Sequence, residues 1–377
     1  DPVAAKAEAK TQAQAQPQRS GADATKLPPA QTGAPQAETA VVPTPTSEPK
    51  KVEPTEVPAV KASVAVLCNP ASGRVRGRLQ SIRELGRGIA GDDYMEIEGS
   101  ALGGPALPGL FARRPELLVV VGGDGTLHGV LGNLFAPGNT GTLPSLLAVP
   151  AGTTNMSALD LGVRGTPIQV LNRLRTRLEQ QSGMVLPATS RPVLEVSRAG
   201  LPPLCGMFFG AGIIARGVEY FASHIRERGL TGEAASGLVV ARFLGALLGR
   251  DRGGLSAPVA AQIEGLQGMS GRQSFVAILA SVLDRLLLGM RPYWGTESAP
   301  LHVTAVRHRP ARLYRSLWPL LRGRGAGLRL EDGYASANLD SCSVQLEGPF
   351  VIDGQCYQSR GTALSLGIAG HVSFVRP

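Results

Sequence analysis

The first half of the chain alternates between short apolar runs and stretches with helical spacing. Three runs, Val64–Leu67, Leu117–Val121 and Leu146–Val149, are uniformly apolar, which is typical of strands buried on both faces of a parallel sheet. The second run stops at two glycines. Beyond them a helix is predicted, because apolar residues recur on one face. That face consists of Leu127, Val130, Leu131 and Leu134.

The pattern changes after one further predicted helix, which begins at the N-cap pair Thr166-Pro167. From Arg191 onward, short strands such as Val193–Val196 and Phe275–Leu279 predict an antiparallel sheet or sandwich. The sequence therefore predicts an N-terminal α/β domain over residues 63–188, with a parallel sheet and helices on both faces. A β-rich, sandwich-like second domain is expected over residues 189–377, and its last residues could pack back on the first domain.

Residues 1–62 have a composition that does not support a folded core. They are mostly Ala, Pro, Gln, Thr, Lys and Glu and contain no aromatic residue, so we expect a disordered tail. The tail holds seven basic and seven acidic residues, and the whole formal excess of +9 therefore belongs to the remaining chain. The tail lacks the apolar core of a signal peptide, but a leader or anchor ahead of Asp1 is left open.

Each of the three apolar runs ends in a loop of small and polar residues. The loops are residues 69–73, 122–126 and 150–155, with the sequences NPASG, GGDGT and PAGTTN. In an open α/β sheet such loops meet at the carboxyl edge, where ligands bind. Glycines let an anion approach the main chain, and N–H groups at a helix N-terminus attract it. The loops therefore predict a polyphosphate site with Asp124 beside it, although a single such turn is equally compatible with an ordinary strand-to-helix connection.

Taken in this order and spacing, the three loops resemble the catalytic region of the diacylglycerol kinase family, which also includes sphingosine, ceramide and bacterial lipid kinases. The resemblance runs from about Ser63 to the C-terminus. NAD kinases and phosphofructokinases carry a related GGDG turn, but the third loop reads GTTN here and differs from theirs. The resemblance implies an ATP-dependent kinase that phosphorylates the hydroxyl of a membrane lipid, with diacylglycerol as first choice and phosphatidic acid as product. The residues expected to bind ATP are Asn69, Pro70, Ser72, Gly73, Gly122, Gly123, Gly125, Thr126, Thr153, Thr154 and Asn155.

The expected catalytic residues are Asp124, Asp353 and Gln355. In the family, a C-terminal strand ends in Asp-Gly-Glu, and the Glu is implicated as proton acceptor, whereas this chain has Gln355 at that place. An amide cannot take a proton from a hydroxyl. We therefore expect Asp124 to serve as base, with Asp353 assisting or orienting Mg²⁺. The alternative is a catalytically weak or inactive lipid- or nucleotide-binding pseudokinase.

Metal and histidine chemistry add little. The resemblance implies that bacterial relatives with a structural Mg²⁺ site have an Asp-Gly pair after a Pro-containing turn. At that place this chain has residues 297–302, which contain no Asp-Gly pair. We therefore expect no protein-held structural metal, and Mg²⁺ should arrive with ATP. His128 follows the glycine-rich turn and fits a partly exposed helix residue better than a phosphate ligand.

Two further patterns concern partners. The segment Arg307–Arg329 combines seven arginines with Trp318 and leucines, which suits an anionic membrane surface, although a merely solvated basic face is the alternative. Few aromatics and no recognisable module argue against nucleic acid. The apolar segments Leu238–Leu248 and Leu286–Met290 are candidate walls for acyl chains, although core packing explains either alone.

The length of the apolar runs and the number of cysteines indicate the cellular setting. No apolar run approaches the length of a membrane span, so a cytoplasmic protein in peripheral contact with the membrane is expected. Four scattered cysteines are typical of reduced thiols, and Cys68 fits a buried position. The identity of the lipid and the oligomeric state are left open, a homodimer being one option.

Overall fold

The computed structural model describes residues 63–97, 106–139, 141–180, 186–220, 245 and 257–377. The expected tail of residues 1–62 lies outside the described residues. The expected apolar helix Leu238–Leu248 does so too, apart from Gly245.

Four parallel strands form one half of a mixed sheet. They are β1 (Val64–Cys68), β2 (Tyr94–Glu96), β3 (Leu117–Gly122) and β4 (Ser145–Pro150). They lie in the order β2-β1-β3-β4. Every residue of β1 and β3 is buried, which explains why both read as unbroken apolar runs.

Helices cover both faces of these parallel strands. The helices of this half are α1 (Leu79–Ala90), α2 (Ala106–Ala112), α3 (Asp124–Leu134), α4 (Met156–Asp160) and α5 (Pro167–Gln180). Ile82 of α1 and Leu171 of α5 pack in one apolar cluster, and Leu127 and Leu131 of α3 pack in another. Burying each such side chain stabilises the fold by about 1.5–3 kcal/mol.

The second half consists mainly of antiparallel strands. They are β5 (Ala188–Arg198), β6 (Leu201–Gly206), β7 (Phe208–Gly212), β8 (Val259–Glu264), β9 (Arg272–Ser281), β10 (Leu301–Arg307), β11 (Tyr334–Leu339), β12 (Cys342–Ile352) and β13 (Gln355–Val375). The two helices described here are α6 (Ile213–Tyr220) and α7 (Leu313–Leu321). The α/β half and the β-rich half of the expected fold are thus confirmed.

One long strand joins the two halves of the sheet. Near its end, β13 pairs in parallel with β4, where Phe374 lies opposite Leu146. The same strand pairs antiparallel with β5 and β12. The sheet therefore runs without a break from β11 to β2, while the domain boundaries drawn from sequence stay a prediction.

The hairpin between β12 and β13 is tight. Ile352 pairs with Gln355, and the two residues between them, Asp353 and Gly354, have φ angles of 47° and 82°. Asp-Gly is a preferred sequence for such a left-handed two-residue turn, because both residues tolerate positive φ. The turn fixes the direction in which Asp353 and Gln355 leave the sheet.

The four cysteines are free thiols, as expected. Cys68 is buried, which confirms its expected position, and burial raises the pKa of its thiol to about 11. Cys356 is exposed. Among the described residues, no helix is long and apolar enough to cross a membrane.

Candidate active site

The three loops identified in the sequence begin at the same level of the sheet. Cys68 at the end of β1 lies opposite Val121, and Gly122 at the end of β3 lies opposite Pro150 at the end of β4. In a parallel sheet with this register, the residues that follow must leave the same edge. Loops 69–73, 122–126 and 150–155 are therefore neighbours in space.

Hydrogen bonds tie the first loop to the other two. Asn69 Nδ2 donates to Thr126 Oγ1 at 2.9 Å, and Asn69 Oδ1 accepts from the N–H of Ala71 at 3.0 Å. The N–H of Arg74 donates to the carbonyl of Ala151 at 2.9 Å. Asn69 is 8% exposed, so its amide is a buried link that orients the first loop against the start of α3.

Two glycines bring the second and third loops into backbone contact. An ideal Cβ on Gly152 would lie 2.5 Å from Cα of Gly123, and one on Gly123 would lie 2.9 Å from Cα of Gly152. Backbone atoms cannot move aside as a flexible side chain can. The loops therefore need glycine at both positions for steric reasons, not only to admit a ligand.

Asp124 holds the start of α4. Its Oδ2 accepts from Thr154 Oγ1 at 2.7 Å and from the N–H of Met156 at 3.0 Å, and its Oδ1 accepts from the N–H of Ser157 at 2.8 Å. The carboxylate thus satisfies N–H groups that a helix N-terminus leaves without internal partners. Asn155, which precedes α4, adopts a left-handed conformation and exchanges two hydrogen bonds with the backbone of Gly152.

Asp353 lies close enough to Asp124 for the two carboxylates to interact. Its Oδ2 accepts from the N–H of Met207 at 2.9 Å, while the buried Oδ1 makes no well-formed hydrogen bond in the described structure, although the backbone of Phe208 lies beside the carboxyl. Burial, and next the charge of Asp124, raise the pKa of Asp353 well above its ordinary value. A Cβ on Gly206 would overlap Asp353 Oδ2, so this carboxyl needs glycine beside it.

Gln355 reaches the glycine-rich turn. An ideal Cβ on Gly125 would lie 2.5 Å from Nε2 of Gln355, although the Gln355 residue as a whole is exposed. The hairpin therefore places the Gln355 side chain beside Gly125, at the start of α3.

His128 is buried, contrary to the partly exposed position expected from sequence. It is 8% exposed, and its Nε2 lies 2.6 Å from the hydroxyl of Tyr357 on β13. Nδ1 lies beside the backbone of Cys205 without a well-formed hydrogen bond. Burial lowers the pKa of His128. The expectation was wrong because β6 packs on α3, and a helical pattern alone does not show which face a distant strand covers.

The remaining predicted residues lie on the same loops with fewer contacts. Ser72 is buried, Pro70 and Thr153 are half-buried and Gly73 is exposed. No side-chain hydrogen bond of Ser72 or Thr153 is found in the described part of the chain. Their role in binding ATP stays a prediction.

Sequence reasoning missed several residues of this site. Gly206 and Met207 cradle Asp353, and Ser157 contributes an N–H to Asp124. Tyr357 links β13 to α3 through His128. A Gly-Met pair between strands has no distinctive spacing, so no local signal could have found Gly206 or Met207. Tyr357, two residues beyond Gln355, could have been found as its same-face neighbour on a strand.

Comparison with known proteins agrees with these loops. Residues 63–185 match the family model described as the diacylglycerol kinase catalytic domain. The resemblance expected from the three motifs is thereby confirmed over these residues. A comparison with curated proteins found no match.

Solved structures share the fold. A protein from Bacillus anthracis str. Sterne, provisionally described as a diacylglycerol kinase, is 16% identical and has a TM-score of 0.53. A second structure from the same organism, described as a diacylglycerol kinase, is 14% identical with a TM-score of 0.51. Each match covers 84% of this chain and 97% of the other. Yeast NADH kinase complexed with NADH is 9% identical, covers 84% of both chains and has a TM-score of 0.43, too low to bear on function.

Proposed function

We propose that the protein is an ATP-dependent lipid kinase that transfers the γ-phosphoryl group of ATP to the hydroxyl of a membrane lipid. Diacylglycerol is the first candidate, and phosphatidic acid would be its product. The observation that carries the proposal is the meeting of three kinase-family loops with Asp353 and Gln355 at one edge of the sheet. The family match supports a kinase, and the lipid acceptor is our inference from the loop sequences.

The loops supply a cradle for phosphate. The first turn of α3 follows Gly123 at this edge of the sheet, and the N–H groups and dipole of a helix N-terminus attract anions. The close approach of Gly123 to Gly152 keeps the second and third loops together as one surface. ATP phosphates would rest on this surface, with Asn69 and Thr126 holding its shape.

The two carboxylates fit a divalent cation. Asp353 Oδ1 is a buried oxygen without a partner in the described structure, and its pKa is raised by burial and by Asp124. A nearby cation relieves such repulsion and favours the ionised form. Asp353, with Asp124 contributing charge, would hold Mg²⁺ delivered with ATP, and the cation would supply neutralisation of the phosphate charge. Among the described residues, no three His, Cys, Asp or Glu side chains are grouped to hold a further metal.

The acceptor hydroxyl would be activated mainly by position. Its oxygen attacks the γ-phosphorus, the bond to the bridging oxygen of ADP breaks, and the hydroxyl proton leaves to a carboxylate or to water. Phosphoryl transfer relies chiefly on positioning and electrostatics. Asp124 already accepts three hydrogen bonds, which supports a positioning role for it. The unpartnered Oδ1 of Asp353 is the stronger candidate for contact with the hydroxyl or the cation.

The test is transfer of labelled phosphate from ATP to lipid in mixed micelles. Diacylglycerol, ceramide and a sphingoid base are offered in turn. Asp353→Asn keeps the side-chain shape and an acceptor for Met207 N–H, and its buried NH₂ group should cost about 1–3 kcal/mol, so folding of the variant is checked by circular dichroism. We expect its turnover to fall by about 100-fold or more. Turnover equal to wild type would remove Asp353 from the chemistry.

Gln355→Glu restores the family's acid at the glycine-rich turn. We expect it to raise turnover by about tenfold or more, because a carboxylate can take up the proton that an amide cannot. The matched control is Gln358→Glu, an exposed change on the same strand, which should leave turnover unchanged. Equal effects of both changes would contradict a specific role for position 355.

The second candidate function is a nucleotide- or lipid-binding pseudokinase, and Gln355 is the observation that favours it. ATP binding without phosphate transfer to any lipid of the panel would support it. Activity that appears only in Gln355→Glu would identify the missing carboxylate as the cause.

A further inference from the structure

Helix α7 exposes aromatic residues. It buries Ser316 and Leu320 but leaves Tyr314 73% and Trp318 58% exposed. The two aromatics are four residues apart and therefore share one face of the helix. A cluster of large exposed apolar side chains is typical of an interaction site.

A neighbouring turn extends this apolar surface. Leu288 is 58% exposed in a short 3₁₀ turn at Leu287–Gly289. The turn is attached to the end of α7, because the N–H of Arg291 donates to the carbonyl of Leu321 at 2.9 Å. Of the six large apolar residues exposed in the described part of the chain, three therefore belong to this one region.

Arginines surround the apolar residues. Residues 307–330 contain seven arginines and no acidic residue. Arg322 lies over the ring of Trp318 with 4.1 Å between the guanidinium carbon and the ring centroid. Within the described residues, Arg329 is the only one of the seven with an ion pair, to Glu331 at 3.5 Å. The surface therefore combines unneutralised positive charge with aromatic and aliphatic side chains.

The region is connected to the candidate active site through one strand. Leu320 packs in a cluster with Ile213, which directly follows β7. At the other end of β7, the carbonyl of Phe208 accepts from the N–H of Asp353. Five strand residues span about 16 Å, so the surface lies within reach of a lipid whose hydroxyl enters the site.

We propose that Tyr314, Trp318 and Leu288, with the surrounding arginines, form a docking surface for membranes that contain anionic lipids. The proposal rests on the proposed function in one respect, since it states where the lipid substrate is met. Trp and Tyr prefer the membrane–water interface, where their rings are apolar and their polar atoms stay hydrated. Arginine pairs with lipid phosphates. Nucleic acid would use the charge but leave Leu288 without a role.

Intrinsic fluorescence tests the proposal directly. The chain has two tryptophans, and Trp294 is half-buried against the core cluster that holds Leu320. Exposed Trp318 should shift its emission to shorter wavelength when the full protein meets vesicles of phosphatidylcholine with about one quarter phosphatidylglycerol. Pure phosphatidylcholine vesicles should cause little shift. In Trp318→Ala, the remaining Trp294 emission should not respond.

Co-sedimentation with the same vesicles measures affinity. Trp318→Ala should weaken binding about tenfold, and Arg315→Gln about fivefold. Leu201→Ala is the matched apolar control, because Leu201 is 56% exposed on β6. Arg177→Gln on α5 is the matched charge control. Both controls should bind as wild type does, and all variants should keep the wild-type circular dichroism spectrum because the residues are exposed.

Two outcomes would overturn the docking surface. One is vesicle binding that Trp318→Ala and Leu201→Ala leave equally strong. The other is failure to bind vesicles while single-stranded RNA shifts Trp318 emission, which would assign the face to nucleic acid. The measurement needs no ATP, and Asp353→Asn should bind vesicles normally. The two proposals can therefore fail separately. If Trp318→Ala no longer binds vesicles but still phosphorylates short-chain soluble diacylglycerol, docking and the proposed kinase activity are distinct properties.

Discussion

Replacing Asp124 with Asn removes one hydrogen-bond acceptor from the start of α4. The carboxylate accepts three hydrogen bonds, two at Oδ2 and one at Oδ1, and it is 7% exposed. The amide oxygen of Asn can keep the two bonds at the Oδ2 position. Its NH₂ group would then face the N–H of Ser157, so two donors would meet in a buried place.

The magnitude follows from that mismatch. A hydrogen bond to a charged group contributes about 1.5–3 kcal/mol, and a buried donor left without a partner costs a similar amount. We therefore expect Asp124→Asn to lower the free energy of unfolding by about 2 kcal/mol. For a chain of this size, that corresponds to a fall of roughly 4 °C in the unfolding midpoint. Thr154→Val, which removes only the hydroxyl donor at 2.7 Å, should produce about half that change.

Thermal unfolding of the two variants against wild type is the assay. An unchanged midpoint for Asp124→Asn would refute the reading of Asp124 as an anchor of α4. Phosphate transfer, measured well below the midpoint, tests the other expected role. If Asp124 is also the base, turnover should fall about 100-fold in Asp124→Asn but much less in Thr154→Val. Comparable turnover in the two variants would leave Asp124 with positioning alone.

Two further predictions concern packing and pH. Gly152→Ala should weaken ATP binding by about tenfold or more, because its Cβ would meet the backbone of Gly123. The control is Gly132→Ala on α3, which has open space around it. This control should bind ATP normally and raise the free energy of unfolding by up to about 1 kcal/mol. ATP titration and thermal unfolding measure both, and equal affinity in the two variants would contradict the loop contact. Burial lowers the pKa of His128. As pH falls, the unfolded chain therefore takes up a proton at this histidine before the folded chain does, and the free energy of unfolding should decrease below about pH 6.5. Urea unfolding across that range should show a flatter pH dependence in His128→Gln, and parallel curves for both proteins would argue against a buried neutral His128.

The convergence of the three loops was predictable because it follows from strand direction. Uniformly apolar runs indicate parallel strands, and parallel strands deliver the loops after them to one edge. The order of NPASG, GGDGT and PAGTTN then indicated a resemblance to the diacylglycerol kinase family, and residues 63–185 match the model of its catalytic domain. The sequence also placed Asp353 and Gln355 in one motif.

The environment of those side chains was not predictable from local pattern. Whether Asp124 is free or fully hydrogen-bonded depends on α4, which lies 32 residues further along the chain. The unpartnered oxygen of Asp353 depends on how Gly206 and Met207 pack against it. His128 was expected to be partly exposed, and its contact with Tyr357 joins residues 229 positions apart.

The sequence by itself determined the parallel α/β half, the antiparallel half, the position of the three loops and the family resemblance, because these depend on periodicity and on short motifs read within a few residues. Only the tertiary structure decided that Asp353 Oδ1 has no partner among the described residues, that His128 is buried and that Trp318 faces solvent. The physical reason is that burial and hydrogen bonding depend on contacts between residues far apart in the chain. Strand register and helix packing set those contacts, and no local pattern encodes them.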